Sequence, residues 1–142
     1  MSQRFQITLA AELESLQIFR DFITECCARY DISHDTVLDL KLAVDEACTN
    51  IIQHAYGGEG RGQIQLLCET QAEGLRVTIY DQGRSFEPLQ VPDLDPQAPL
   101  PKRQPGGMGP FFIRNLMDTV EFKFGTPQGN QLILFKRRES TS

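Results

Sequence analysis

Two runs of alternating apolar residues, separated by little more than a turn, restrict what this chain can fold into more than any other feature. Ile64, Leu66 and Cys68 alternate with Gln65, Leu67 and Glu69, and Leu75, Val77 and Ile79 alternate with Arg76, Thr78 and Tyr80. A period of two sends successive side chains to opposite faces, so the runs predict strands over about residues 63–70 and 74–81. With Glu73-Gly74 closing the gap, the two must form an antiparallel hairpin. Phe5, Ile7 and Leu9 predict another strand at about 3–9. Val120, Phe122 and Phe124 predict a fourth, and Leu132, Leu134 and Phe135 a fifth after a turn at Gly125 to Gly129. Such a sheet has an apolar face that something must cover.

Two stretches have the period to cover it. Leu16, Phe19, Phe22, Ile23, Cys26, Cys27 and Tyr30 fall at helical spacing. Val37, Leu40, Val44, Ala47 and Ile51 form a second stripe, which Asp31 or Ser33 can cap and which predicts a helix to about Tyr56. Gly57-Gly58 then ends it. Residues 84 to 106 break the pattern, because six of the chain's eight prolines lie there with no sustained period. A segment this long without structure of its own reads as a lid or binding loop. Pro110 to Leu116 follows as a short helix, with proline at a tolerated first-turn position.

Composition narrows the function classes. The 142 residues fit one domain with a substantial core. Fourteen Lys and Arg against nineteen Asp and Glu give a net charge of −5, which argues against a general binder of nucleic acid or anionic membrane and toward a small ligand or a protein partner. Cys26, Cys27, Cys48 and Cys68 show no C-x-x-C spacing, and His34 and His54 complete no zinc pattern, so the thiols are expected reduced in a cytosolic protein. Glu12 and Glu14 interrupt any apolar run before a cleavable signal could form. No stretch approaches the ~20 apolar residues of a membrane helix.

The candidate chemistry lies in three places. Glu46 and Asn50, four residues apart, share a helix face one turn from each other, although alone such a pair reads as a solvated face. Asp81 stands where a strand stops and Gln82-Gly83 begins. Its carboxylate is pinned by the sheet and suits a donor such as the exocyclic amine of adenine, while Gly83 lets a ligand approach the backbone. By itself the same D-x-G reads as a strand-end turn. Gly106-Gly107-Met108-Gly109 runs into the Pro110 helix, where open N–H groups and the helix N-terminus can hold phosphate oxygens. Neither G-x-x-x-x-G-K-[ST] nor a strand-linked G-x-G-x-x-G is present, which excludes a P-loop and a Rossmann site. Lys102, Arg103 and Arg114 are candidates to neutralise a γ-phosphate, although Lys102 and Arg103 read more simply as solvated charges of the lid.

In this order, E-x-x-x-N on a helix, D-x-G after a strand, a proline-rich lid and G-x-G at a helix start resemble the N, G1 and G2 boxes of the GHKL ATPase superfamily. EACTNIIQHAYGG at 46–58, DQGRSFEP at 81–88 and GGMGPFFIRNLMDTVEF at 106–122 look like the anti-sigma-factor serine/threonine kinases within it. The resemblance implies an α+β fold over residues 1–142: a two-layer α/β sandwich of the Bergerat type, a mixed, mostly antiparallel sheet with helices on one face. It implies that ATP binds between helix and lid, Asn50 ligates Mg²⁺, Asp81 binds the adenine amine and Gly83 admits the base. Gly107, Met108 and Gly109 would cradle the phosphates, and Glu46 would act as general base on a partner's hydroxyl. Pro110 departs from the family by removing one N–H that could reach phosphate. The implied partners are a small anti-sigma antagonist, phosphorylated as substrate, a sigma factor and a second copy of the chain, with no nucleic acid and no membrane. The alternative is a module whose nucleotide only switches its grip on a partner.

Overall fold

A computed structural model of the chain describes residues 3–30, 32–84 and 109–137. Strand β1 spans Arg4–Ala10, helix α1 Ser15–Ala28 and helix α2 His34–Asn50, the last continuing into a π-helical turn at Ile51–Ala55. Then come β2 (Gln63–Gln71), β3 (Gly74–Asp81), α3 (Gly109–Leu116), β4 (Thr119–Thr126) and β5 (Gly129–Arg137). The hairpin expected between residues 63 and 81 is present, but its two-residue turn is Ala72-Glu73 rather than Glu73-Gly74, because Gly74 already pairs with Gln71.

The five strands lie in the order β1-β2-β3-β5-β4, and all four pairings are antiparallel. The expected sheet is mixed but mostly antiparallel, and that no parallel pair occurs among the described strands has a topological cause. Strands β3 and β4, joined through α3, run in the same direction, but β5 inserts between them and pairs antiparallel with both.

Register explains where the core sits. Ile7, Leu66, Ile79, Leu132 and Phe122 stand opposite one another across the whole sheet. Their face is the one the helices cover: Leu66, Ile79 and Leu132 belong to one core cluster with Phe19 and Ile23 of α1, Leu40 and Val44 of α2 and Ile113 of α3. Each such buried side chain contributes about 1.5–3 kcal/mol. Helix α1 packs on α2, and α2 on α3. All four cysteines are free and buried, and burial pushes the Cys27 thiol up to about 12. Among the described residues no helix is long and apolar enough to cross a membrane.

Helix α2 begins as its sequence suggests. Ser33 is the N-cap, its Oγ accepting a hydrogen bond from the Thr36 N–H at 3.3 Å. The far end differs from a plain helix reaching Tyr56, because the ladder widens after Asn50. The Tyr56 N–H bonds the Ile51 carbonyl at 3.0 Å, five residues back. Arg84 donates to the carbonyls of both His54 and Ala55 at this end.

Candidate active site

The apolar face of the sheet ends in two polar residues. Asp81 and Asn130 are register partners, the first only 4% exposed, and both continue the core-facing parity of Ile79 and Leu132. Asp81 Oδ1 accepts from the Gly83 N–H at 2.9 Å and from Asn130 Nδ2 at 2.9 Å. Asn130 Nδ2 also donates to the Gly83 carbonyl at 3.0 Å, and its Oδ1 accepts from the Gly125 N–H at 3.1 Å. Among the described residues, both bonds to the carboxylate fall on Oδ1, so Oδ2 is the atom that can meet an incoming donor. Burial raises the Asp81 pKa above its ordinary value, while the Asn130 and Gly83 hydrogen bonds pull it down.

Asn50, 5% exposed at the end of α2, faces the same pocket as Asp81. Its walls are apolar, from Ile51, Ile113, Phe122 and Leu132. Phe122 and Phe124 stack with centroids 5.9 Å apart, and the Arg114 guanidinium lies over Phe122 at 5.8 Å. This apolar slot carries one buried carboxylate, Asp81, beside the amides of Asn50, Asn130 and Gln131, polar groups of the kind that orient a small ligand against apolar walls. Arg114 therefore packs on the slot's aromatic wall in this structure.

Glu46 is 6% exposed on α2, one turn before Asn50, and is not among the residues lining the pocket. Gly83 has a use that needs no ligand: a Cβ there would lie 2.6 Å from the Ala55 carbonyl oxygen. The Arg84 N–H bonds that same oxygen at 2.9 Å, and Arg84 Nε bonds the His54 carbonyl at 3.0 Å. The D-x-G turn is thus stitched to the widened end of α2. Gly109 opens α3, so its backbone lies at a helix N-terminus. Gly107, Met108, Lys102, Arg103 and the proline-rich lid lie outside the described residues.

The sequence reading overlooked Asn130, although a signal was there. Leu132 and Leu134 fix the inward parity of β5, and two residues earlier that parity falls on an amide.

A carboxylate, two amides and an aromatic slot thus meet at one end of an antiparallel sheet. The family described as histidine kinase-like ATPase domain matches residues 9–136. The chain belongs to that family. The serine-protein kinase RsbW of Bacillus velezensis is 34% identical over 120 residues, covering 82% of this chain and 75% of the relative. RsbW of Bacillus subtilis is 32% identical, covering 81% and 74%. The chain thus stands in the serine-protein kinase branch of the histidine kinase-like ATPases, the anti-sigma kinase family its motifs resemble. About a third of a Mycobacterium tuberculosis protein chain, in a crystal structure of its RsbU and RsbW domains, shares the fold of this chain. The TM-score is 0.68 at 18% identity, over 99% of this chain and 34% of that one.

Proposed function

We propose that this histidine kinase-like ATPase is a cytoplasmic protein serine/threonine kinase, one domain over residues 1–142, that phosphorylates a small anti-sigma antagonist and sequesters a sigma factor as a homodimer. The observation that carries the reading is the convergence of Asp81 and Asn50 in one apolar slot, with Glu46 one turn away on the same helix.

Asp81 Oδ2 accepts the adenine amine, while Asn130 and the Gly83 N–H hold the carboxylate still. Phe122, Ile113 and Leu132 exclude water from the base. Gly107, Met108 and Gly109 offer N–H groups to the phosphates. Among the described residues no three His, Cys, Asp or Glu side chains stand close enough to cage a metal. A neutral amide oxygen at Asn50, completed by phosphate oxygens and waters, fits Mg²⁺ better than a soft or cage-bound ion. When bound, that ion neutralises phosphate charge. The acceptor hydroxyl oxygen bonds the γ-phosphorus as the bond from phosphorus to the β,γ-bridging oxygen breaks. Glu46 takes the hydroxyl proton, and ADP leaves.

Glu46→Gln is expected to lower transfer to the antagonist by about 10²–10⁴-fold while ATP binding survives, measured with labelled ATP and purified antagonist. Undiminished transfer removes Glu46 from the role. Pro110, which removes one N–H that could reach phosphate, favours a second reading, a nucleotide-gated grip without transfer. That reading prevails if the wild-type protein binds ATP, changes its partner affinity and transfers no phosphate.

A further inference from the structure

The ladder between β2 and β3 stops one pair early, and a side chain occupies the gap. Ile64 faces Asp81 in that ladder, so the next pair would be Gln63 with Gln82. Instead the Tyr56 hydroxyl stands between them, donating to the Gln63 carbonyl at 2.6 Å and accepting from the Gln82 N–H at 2.8 Å. One hydroxyl takes the place of the strand-to-strand bond that would otherwise form between the same two groups. Its insertion separates the strands where β3 must leave β2 and turn toward the slot.

The bonds that follow show what the separation accomplishes. The N–H groups of Gln82, Gly83 and Arg84 each have a fixed acceptor: Tyr56 Oη, Asp81 Oδ1 and the Ala55 carbonyl, in that order. Two of the three acceptors belong to the end of α2 that begins at Asn50. The widened helical turn therefore sets the position of the D-x-G loop relative to the amide on the opposite wall. On its other side the loop is tied to the β4–β5 turn, with Gln82 Nε2 donating to the Gln128 carbonyl at 2.7 Å.

We propose that Tyr56 is a positioning residue for nucleotide recognition, a wedge whose hydroxyl ends the β2–β3 ladder and thereby aims Asp81 Oδ2 at the base. The proposal rests on the nucleotide reading above. Removing the hydroxyl leaves the ring packing in place and lets the Gln82 N–H close directly onto the Gln63 carbonyl, drawing Asp81 toward β2. Because the hydroxyl sits near solvent, the fold persists without it, and the loss falls on the base half of the ligand.

The test compares wild-type protein with Tyr56→Phe by calorimetry against Mg-ATP, adenosine and tripolyphosphate, and by kinetics with the antagonist. Tyr56→Phe is expected to raise the Kd of ATP and adenosine alike by about three- to tenfold, the range of one net hydrogen bond. Tripolyphosphate binding stays within twofold, KM for ATP rises and kcat holds. A through-bond coupling from Gln82 N to the Gln63 carbonyl carbon, seen by NMR only in the variant, is the expected structural signature. Unchanged adenosine affinity in the variant overturns the wedge while leaving the nucleotide site standing. Equal loss of adenosine and tripolyphosphate also overturns it, because it marks general loosening. Wild-type protein that binds neither ATP nor adenosine sinks the nucleotide reading itself, and the wedge with it.

Discussion

The strand pair β3–β5 has two ends that match in register and differ in chemistry. At one end Gly74 faces Arg137, and at the other Asp81 faces Asn130. The first is built from paired charges near solvent. Arg76 meets Glu69 through Nε and Nη2 at 3.2 and 3.1 Å, Lys136 Nζ reaches Asp39 at 3.3 Å and the Leu116 carbonyl at 2.7 Å, and Asp118 accepts the Arg137 N–H at 2.6 Å. The second end buries a carboxylate held, among the described residues, by amide donors alone. Burying a charge on amides costs stability that an ion pair or an apolar residue there would not. One end of the pair is arranged to hold the sheet together, and under the proposed nucleotide reading the other keeps a strong acceptor dry for the base.

Asp81→Asn tests that division most severely. The asparagine oxygen can keep the bonds from Gly83 and Asn130, but its NH₂ then faces the ligand's amine, donor against donor. ATP affinity is expected to fall on the order of a hundredfold by calorimetry. The ligand-free variant should lose no stability and should gain relative to wild type with pH. The sign follows from the raised folded-state pKa of Asp81. Stability from the protonated form is complete below the unfolded value and is lost as pH rises through the folded one. Denaturant midpoints of the two proteins should therefore converge below the ordinary carboxyl value of 3.8 and be fully separated above the folded pKa in favour of the variant. ATP affinity of the wild type should weaken as pH falls through the same range. A variant less stable than wild type at neutral pH would mean that the carboxylate is structural after all.

The two glycines come next in expected effect. A Cβ at Gly129 would fall on the Asp81 carbonyl and on the Gln82 side chain, and its φ of +93° is a conformation that L side chains rarely adopt. A Cβ at Gly74 would fall on the Lys136 carbonyl, with no such φ. Gly129→Ala should cost about 3 kcal/mol of stability and Gly74→Ala about 2 kcal/mol, by urea titration. Only Gly129→Ala should also weaken ATP binding, because its backbone neighbour is Asp81. Equal effects of both on ATP would erase the distinction between the ends.

What the sequence disclosed follows from which structural features have a period. Helices and strands declare themselves because apolar side chains recur at 3.6 or 2, and Asp81 was legible because an alternation stops at it. Strand order was not legible: alternation in residues 119–137 says which face is buried and nothing about β5 lying between β3 and β4. The widened turn at Ile51–Ala55 was hidden because a five-residue bond hardly changes the side-chain pattern. Asn130 needed the register of β5 before its amide could be placed beside Asp81. Tyr56 was beyond reach, since its hydroxyl meets a backbone N–H 26 residues away and no local spacing records that.

The smallest expected effect comes from the charged end, and it bears on the comparison because it should be nearly silent. Arg76 is 41% exposed, and its Glu69 partner also has Arg4 at 3.5 Å, so loss of one arginine leaves the carboxylate a second cation. Glu69 is only 17% exposed, but the arginine side is open to solvent, and surface pairs contribute about 0.2–1 kcal/mol and are screened by salt. Arg76→Gln should lower stability by at most about 0.5 kcal/mol, less in high salt, with ATP affinity unchanged. The glutamine still covers the outer face of β3 and still meets Glu69 with a donor. A loss of ATP binding in this variant would show that strain travels the length of β3 from Arg76 to Asp81. The two ends would then act as one unit, and the Asp81 end could no longer be credited with its own chemistry.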